Sequence, residues 1–135
     1  MSTYHLQIVT PDGERFDGQA EKLIVRTTTG DVGILARHTN YVTALGMGVA
    51  KVWVDGAERR AACIGGMLSV LHGEVRLLAS TFEWGEDIDV ARAQRSEELA
   101  RSILDHADRH SSEDVDLAEA RLRRALIRQS AAEPQ

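Results

Sequence analysis

The segment Phe82-Glu83-Trp84-Gly85-Glu86 marks the place where the periodicity of this 135-residue chain changes. Before it, short runs of apolar and β-branched residues alternate with turn signals, which is typical of β-strands. After it, apolar residues recur at the spacing of one helix face, with many charged residues between them. We therefore predict a β-domain over residues 1–85 and a helical hairpin over residues 86–135.

Turn signals divide the β-part into short strands. The strongest are Pro11-Asp12-Gly13, Asp55-Gly56 and His72-Gly73, because these residue types favour tight turns. The sequence Gly30-Asp31-Val32-Gly33 is also expected to form a turn. Between these signals we predict strands that include residues 4–9, 22–28, 42–45, 49–54, 58–64, 67–71 and 74–79. Short strands with frequent turns favour a sandwich or a flattened barrel.

Two helices are predicted after the boundary. Asp87 or Asp89 caps the first helix, which runs to about residue 107, and Ser111 caps the second, which frays after Gln129. Their apolar faces are rich in alanine, which buries little area. At ~25 cal/mol per Å² of apolar surface, such a seam holds two helices together only weakly. The hairpin must therefore lean on the β-part or on another protein, and it can leave its resting place if something else binds it better.

Composition excludes several classes of protein. The net charge of −5 argues against a nucleic-acid surface, which needs a basic face. Cys63 is the only cysteine, so we expect a buried thiol and no disulfide framework. The sequence has no apolar run near the roughly 18 residues of a membrane span and no signal peptide pattern at its start. We expect a reducing, cytosol-like compartment, with membrane association only through a partner and no direct insertion.

Catalytic chemistry is not indicated by any motif. No serine lies in a nucleophile elbow and no glycine-rich phosphate loop precedes a helix. His106 and His110 are four positions apart, a spacing that can hold a metal on a helix, but Asp108-Arg109 begins a loop between them. Solvated histidines at a helix end are the favoured interpretation. We therefore predict no metal site and no enzyme activity.

Charged residues of the two helices offer a binding hypothesis. Asp89 and Arg92 lie on one face of the first helix, and the second helix carries four arginines: Arg121, Arg123, Arg124 and Arg128. Guanidinium groups suit phosphate oxygens, and a carboxylate can accept from an adenine amino group or a ribose hydroxyl. The alternative is a solvated charged face in which these arginines pair with Glu97, Glu98 and Glu119. The spacing alone leaves both open.

Five motifs follow one another along nearly the whole chain. They are Tyr4-His5-Leu6-x-Ile8-Val9, Phe16-x-Gly18, Gly30-Asp31-Val32-Gly33-Ile34-Leu35-x-x-His38, Gly65-Gly66-Met67-Leu68 and Asp87-Ile88-Asp89-x-x-Arg92-Ala93. Together they resemble the motifs of the epsilon subunit of F-type ATP synthases. Each motif is weak alone. Their order and spacing, with a β-part followed by a hairpin, make the resemblance specific.

This resemblance implies an N-terminal antiparallel β-sandwich of about ten strands and a C-terminal hairpin of two antiparallel helices. It implies a non-catalytic subunit of the central stalk that touches the gamma subunit and the membrane rotor ring of c subunits. Such a subunit couples proton flow to ATP synthesis, and its hairpin can extend to the catalytic alpha/beta head and inhibit ATP hydrolysis. The implied location is peripheral, on the cytoplasmic face of the bacterial plasma membrane.

Two residues are carried over as contacts to the rotor ring, Asp31 and His38. The loop around His38 departs from the family pattern Pro-Gly-His-Ala-Pro, because here it reads Ala36-Arg37-His38-Thr39-Asn40. Losing both prolines loosens the loop, and an arginine adds a charge.

Some family members bind ATP in the folded hairpin through a motif Ile/Leu-Asp-x-x-Arg-Ala. The residues of this chain that match are Glu83, Ile88, Asp89, Arg92, Ala93, Arg124 and Arg128. A further arginine of the binding members is Leu99 here, with Arg101 only nearby, which should weaken the affinity. No cofactor is required, and ATP is a candidate regulatory ligand. An alternative function is therefore a small ATP-sensing protein that binds through this hairpin.

Overall fold

The computed structural model describes residues 2–134 and folds them into a β-body of eight strands followed by two helices. The strands are β1 Tyr4–Thr10, β2 Gly13–Ala20, β3 Lys22–Thr27, β4 Gly30–Leu35, β5 Tyr41–Ala44, β6 Met47–Val54, β7 Ala57–Leu71 and β8 Glu74–Trp84. A short 3₁₀ turn, Gly85–Asp87, leads into α1 Val90–Asp105, and a second one, Ala107–Arg109, leads into α2 Ser112–Ala132.

Strand pairing follows the order β2-β1-β8-β7-β6-β3-β4, with β5 added beside β7. Neighbouring strands run antiparallel, except that β1 and β8 pair in parallel. The predicted β-sandwich with a C-terminal helix pair is thus confirmed. Residues 2–134 form eight strands, which is roughly consistent with the expected number of about ten, and the predicted segments 58–64 and 67–71 are joined in one long strand, β7.

Strand β7 changes partner part-way along one of its edges. Its first half pairs with β6, from Ala57 to Ile64, and its second half pairs with β5. The change occurs at Gly65 and Gly66, which have φ values of 71° and 118°. A Cβ on Gly66 would lie 2.0 Å from the carbonyl oxygen of Leu78. Only glycine fits at this position. The two glycines therefore divide the edge of β7 into a part that pairs with β6 and a part that pairs with β5.

The core of the sandwich is made of alternating aliphatic residues. Burial along β1 follows a period of two, which places its Leu6 and Ile8 inward. The largest fully buried side chains come from five other strands as well and include Leu23, Val52, Leu68, Leu77 and Phe82. A single continuous cluster of this size supplies most of the apolar burial in the molecule.

The two helices pack on each other through small side chains. Their buried residues are all alanines: Ala93, Ala100, Ala118, Ala125 and Ala131. Asp89 caps α1 and Ser111 caps α2 by accepting from backbone N–H groups, as expected. Helix α1 ends at Asp105, and α2 runs to Ala132, so the prediction that α2 frays after Gln129 is wrong. Tertiary packing of Ala131 against Ala62 and Ile88 orders this last turn.

The hairpin rests on the outer face of β6 and β7 through the C-terminal half of α2. A small apolar cluster of Ala62, Ile88 and Ala131 forms this contact, and Val49, Ile127 and Ala132 pack against it. Helix α1 packs mainly on α2 rather than on the strands. The hairpin therefore contacts the sandwich mainly through the last two turns of α2.

Candidate functional site

The junction between body and hairpin is held by a stacked arginine. The guanidinium of Arg59 lies 3.7 Å from the ring centroid of Trp84, and its Nη2 is 2.7 Å from Oε1 of Glu86. This ion pair lowers the pKa of the Glu86 carboxyl. Trp84 in turn donates from Nε1 to the carbonyl oxygen of Arg15. These contacts fix the end of β8 and the 3₁₀ turn in place, so the residues that follow leave the body from a rigid base.

Residues 87–93 form one wall of a cleft. Ile88 is buried beneath it, and Asp89 accepts a hydrogen bond from the backbone N–H of Arg92 at 3.0 Å. The cap therefore occupies one carboxylate oxygen of Asp89 and orients the first turn of α1. Ala93 is buried, whereas the neighbouring Arg92 is exposed beside the opening of the cleft.

Helix α2 and strand β8 form the opposite wall. Nε of Arg128 donates to Oε1 of Glu83 at 2.7 Å, and both side chains are about one-third exposed. The cleft has a volume of about 330 Å³, at the lower end of the ~300–1,000 Å³ range of small-molecule sites. Its lining residues are Glu83, Asp87, Ile88, Asp89, Arg92, Ala93, Ser96 and Arg128.

The structure thus brings six of the seven candidate nucleotide-site residues to one cleft, and Arg124 is not among its lining residues. Leu99 does not line it, and the nearby Arg101 is bonded to Glu97 at 2.7 Å. Sequence reasoning missed two lining residues, Asp87 and Ser96. The spacing of four between Arg92 and Ser96 on the same helix would have found the second.

The electrostatics of the cleft do not favour an anion in this conformation. Three carboxylates and two guanidiniums line it, which gives a formal charge of −1. Arg128 already forms an ion pair with Glu83. A phosphate-bearing ligand would therefore have to replace Glu83 as the partner of Arg128, whereas the exposed Arg92 is accessible as the structure stands.

Asp31 lies near the start of β4, and His38 lies in the loop that follows this strand. Asp31 pairs with Nε of Arg26 at 2.7 Å across the β3–β4 ladder, and Nδ1 of His38 is 2.7 Å from the carbonyl oxygen of Thr39. Strand β4 terminates the sheet order, so both residues lie along an exposed edge. Leu35, between them, is 56% exposed.

The prediction of a turn at Gly30-Asp31-Val32-Gly33 is wrong, because these residues belong to β4. The turn lies just before them, where the hydroxyl of Thr27 accepts from the N–H of Thr29 and donates to the carbonyl oxygen of Gly30. A threonine hydroxyl closes the loop that the glycines were expected to form.

His106 and His110 do not share one helix turn. His106 follows the end of α1, and His110 follows the 3₁₀ turn. Within residues 2–134, no group of three or more His, Cys, Asp or Glu side chains is arranged to hold a metal ion. Burial raises the pKa of the Cys63 thiol to about 12, so this cysteine is a structural residue of the core.

Comparison with known proteins agrees with this fold. Residues 3–85 match the family model of the ATP synthase delta/epsilon chain β-sandwich domain. The chain is 41% identical over 133 residues to the ATP synthase epsilon chain of Ruminococcus albus, covering 98% of each chain. The chain belongs to the ATP synthase delta/epsilon family. The resemblance drawn from the sequence motifs and the prediction of a non-catalytic subunit are thereby confirmed.

A second member of this family, the epsilon chain of Caldanaerobacter subterraneus, is 39% identical over 127 residues, which are 93% of this chain and 91% of that one. Among solved structures, a chain of the Euglena gracilis mitochondrial ATP synthase superposes with a TM-score of 0.83 at 20% identity, covering 98% of this chain and 83% of that one. This likeness shows the fold. No helix in the described part of this delta/epsilon family member is both long and apolar enough to span a bilayer.

Proposed function

We propose that this chain is the epsilon-type subunit of the central stalk of an F-type ATP synthase. Its residues 1–85 bind the rotor, and its residues 86–135 inhibit ATP hydrolysis by moving from the sandwich to the catalytic alpha/beta head. In this role it couples proton flow to ATP synthesis at the cytoplasmic face of the bacterial plasma membrane. The observation that carries the proposal is the small contact between hairpin and sandwich, added to family membership.

The contact is small because its apolar side chains are short. Two of the three residues in the buried cluster are alanines, and the third, Ile88, precedes α1 and stays near the body. The ion pair between Arg128 and Glu83 is partly exposed, and such pairs contribute ~0.2–1 kcal/mol. A partner surface that packs better against the hairpin can therefore displace it from the sandwich.

Truncation tests the inhibitory role. In the assembled enzyme, a subunit that ends at Asp87 should bind the complex and preserve coupling, because the sandwich core lies wholly before this point. ATP hydrolysis should then be faster than with the full chain, since the inhibitory segment is missing. If the two enzymes hydrolyse ATP at equal rates, the hairpin has no inhibitory function.

The gamma subunit would bind a row of apolar side chains on the outside of the sandwich. Ala44, Met67, Leu78 and Val9 are successive partners across four neighbouring strands. Met67 is 43% exposed and Leu78 is 50% exposed, which is unusual for large apolar residues in such a row. A complementary apolar surface on a rotor subunit would cover them.

Charge in this row should disrupt assembly. The pair Met67→Glu and Leu78→Glu should abolish co-purification with gamma, because two carboxylates would be buried without partners. Leu99→Glu is the matched control, since Leu99 is 59% exposed on α1 and outside the row. Equal recovery of gamma with both variants would place its binding surface elsewhere.

The rotor ring would contact the β4 edge through Asp31 and His38. Charge reversal by Asp31→Lys should weaken the binding of the F1 complex to the ring, measured by sedimentation with membranes. Asp12→Lys, at an exposed turn far along the sheet order, serves as the control. Unchanged sedimentation of the Asp31 variant would remove this residue from the contact.

ATP is a second, regulatory candidate because the exposed Arg92 lies beside hydrogen-bonding groups of the cleft, and Arg128 would join it if a phosphate replaced Glu83 as its partner. Calorimetric titration of the isolated chain should show binding that Arg92→Ala weakens about tenfold, as expected for a lost charge-assisted phosphate contact. Arg109→Ala, outside the cleft, should bind like the original chain. No heat at millimolar ATP would exclude both this ligand and the alternative of a free ATP sensor.

A further inference from the structure

The last turn of α2 meets the body at a glycine. An ideal Cβ on Gly85 would lie 2.2 Å from the carbonyl oxygen of Ala131 and 3.1 Å from its carbonyl carbon. Both atoms are backbone, so no rotation of a side chain can relieve the collision. The C-terminal end of α2 can therefore reach its observed position only if residue 85 has no side chain.

The local backbone does not require glycine here. Gly85 is absent from the residues with positive φ, unlike Gly65 and Gly66 of β7. An alanine at position 85 would fit the conformation of the 3₁₀ turn itself. On the body side, its Cβ would lie 3.3 Å from the carbonyl oxygen of Arg60, which a shift of a few tenths of an ångström accommodates. The severe conflict is with α2 alone.

Several docking contacts depend on this close approach. Ala131 is 3% exposed and packs against Ala62 and Ile88 in the apolar cluster below the hairpin. Three residues earlier, Arg128 is bonded to Glu83. Moving the end of α2 outward by even an ångström would open the cluster and lengthen the ion pair. The contacts are thus gained or lost together.

We propose that Gly85 is a docking gate: its missing side chain permits the hairpin to rest on the sandwich, and any larger residue there releases the hairpin while leaving the sandwich intact. This inference rests on the mobility of the hairpin in the proposed function. It adds the residue that sets the balance between the resting and released positions.

Distances between spin labels in the full-length chain test the gate. Nitroxides at the exposed positions Thr28, beside the docked α2, and Glu119, on α2, report the position of the helix. The original chain should give one narrow distance distribution. Gly85→Ala should shift it to long and broad distances, with the released population raised about tenfold or more, as backbone collisions of this kind require.

Two further variants separate the gate from the mobility on which it rests. Gly33→Ala is the matched control, because its Cβ would meet only Ile24 at 4.0 Å, and it should keep the narrow distribution. Ala131→Arg overfills the same contact from the α2 side and should release the hairpin as Gly85→Ala does. Release by Ala131→Arg but not by Gly85→Ala would overturn the gate alone. Release by neither would overturn both the gate and the proposed movement.

A non-additivity test covers the case in which Gly85→Ala unfolds the chain for another reason. In a chain that ends at Ser130, the carbonyl group that the new methyl would strike is gone. Gly85→Ala should therefore lower the urea midpoint of the full chain and leave that of the shortened chain unchanged. An equal loss in both backgrounds would mean that the glycine serves the sandwich, and the gate would be wrong.

Discussion

The sandwich and the hairpin are built from different kinds of buried side chain. The sandwich buries many large side chains (leucines, isoleucines, valines and aromatic residues) together with four alanines and Cys63 in one continuous cluster, whereas the two helices bury only alanines. A fully buried Leu or Ile contributes ~1.5–3 kcal/mol, and an alanine far less. The same chain therefore contains a body that is stable in its own right and an arm whose stability depends on where it rests.

This difference indicates that the sandwich and the hairpin have separate functions. A rigid body can bind a rotating shaft without deforming, because its core resists local opening. A hairpin held by short side chains and partly exposed ion pairs can move from one binding surface to another at a small cost in free energy.

Deleting a core side chain of the sandwich should affect the whole molecule. Leu77 is fully buried, so Leu77→Ala should lower the free energy of unfolding by ~2–5 kcal/mol. Urea denaturation followed by circular dichroism measures this loss. Leu99→Ala removes the same atoms from an exposed site on α1 and should change stability by about 0.5 kcal/mol or less. Similar losses at both positions would contradict the contrast.

Overfilling the helix seam should act only on the hairpin. Ala125 is 1% exposed between the helices, and Ala125→Leu should cost ~1–3 kcal/mol of local stability. Hydrogen exchange should accelerate in α1 and α2 and stay unchanged in the strands. An equal acceleration throughout the sandwich would show that the two parts unfold as one unit.

Removing the cap of α1 should have a smaller effect. Asp89→Ala leaves the backbone N–H of Arg92 without its acceptor and should destabilise the first turn by ~0.5–2 kcal/mol. Amide exchange rates of residues 90–93 provide the measurement. Asp87→Ala is the matched control, because Asp87 is an exposed neighbour that does not cap the helix. If the control accelerates exchange equally, charge near the helix start matters rather than the cap.

The smallest effect concerns pH and belongs to the sandwich surface. His5 bonds to Asp17 through Nε2 and to Glu74 through Nδ1, and these two bonds raise its pKa. A raised pKa means that the folded chain holds the proton more tightly than the unfolded chain does. The stabilisation is therefore complete below the unfolded pKa of about 6.5 and is lost as pH rises through the folded pKa.

His5→Gln should accordingly be less stable than the original chain at pH 6 and equally stable at pH 9. Urea midpoints at the two pH values measure the difference, and an NMR titration of the His5 ring gives its pKa directly. A difference that grows with pH would show that the imidazole is bound in its neutral form.

Sequence patterns could predict the strands and the caps because these depend on neighbouring residues. The alternation in β1, the Asp-Gly and His-Gly turns and the two cap residues all act locally. The end of α2 could not be predicted this way. Its last turn is ordered by Ala62 on β7, which is distant in sequence.

Other features also depend on long-range geometry. The parallel pairing of β1 with β8 joins the two ends of the β-part, and no local signal distinguishes it from an antiparallel pair. The turn before β4 depends on the Thr27 hydroxyl, whereas the two glycines suggested a later position. The resemblance supplied the candidate cleft residues, but the bond between Glu83 and Arg128 required the fold to be known.

Native-state hydrogen exchange on the isolated full-length chain determines whether the hairpin opens separately from the sandwich. If the hairpin is an arm on a stable body, the amides of α2 should exchange through openings that cost much less free energy than those of β1, β7 and β8. Urea should lower the protection of the two groups at different rates. A single opening free energy shared by the α2 and strand amides would contradict the account, because the hairpin would then be an inseparable part of the body.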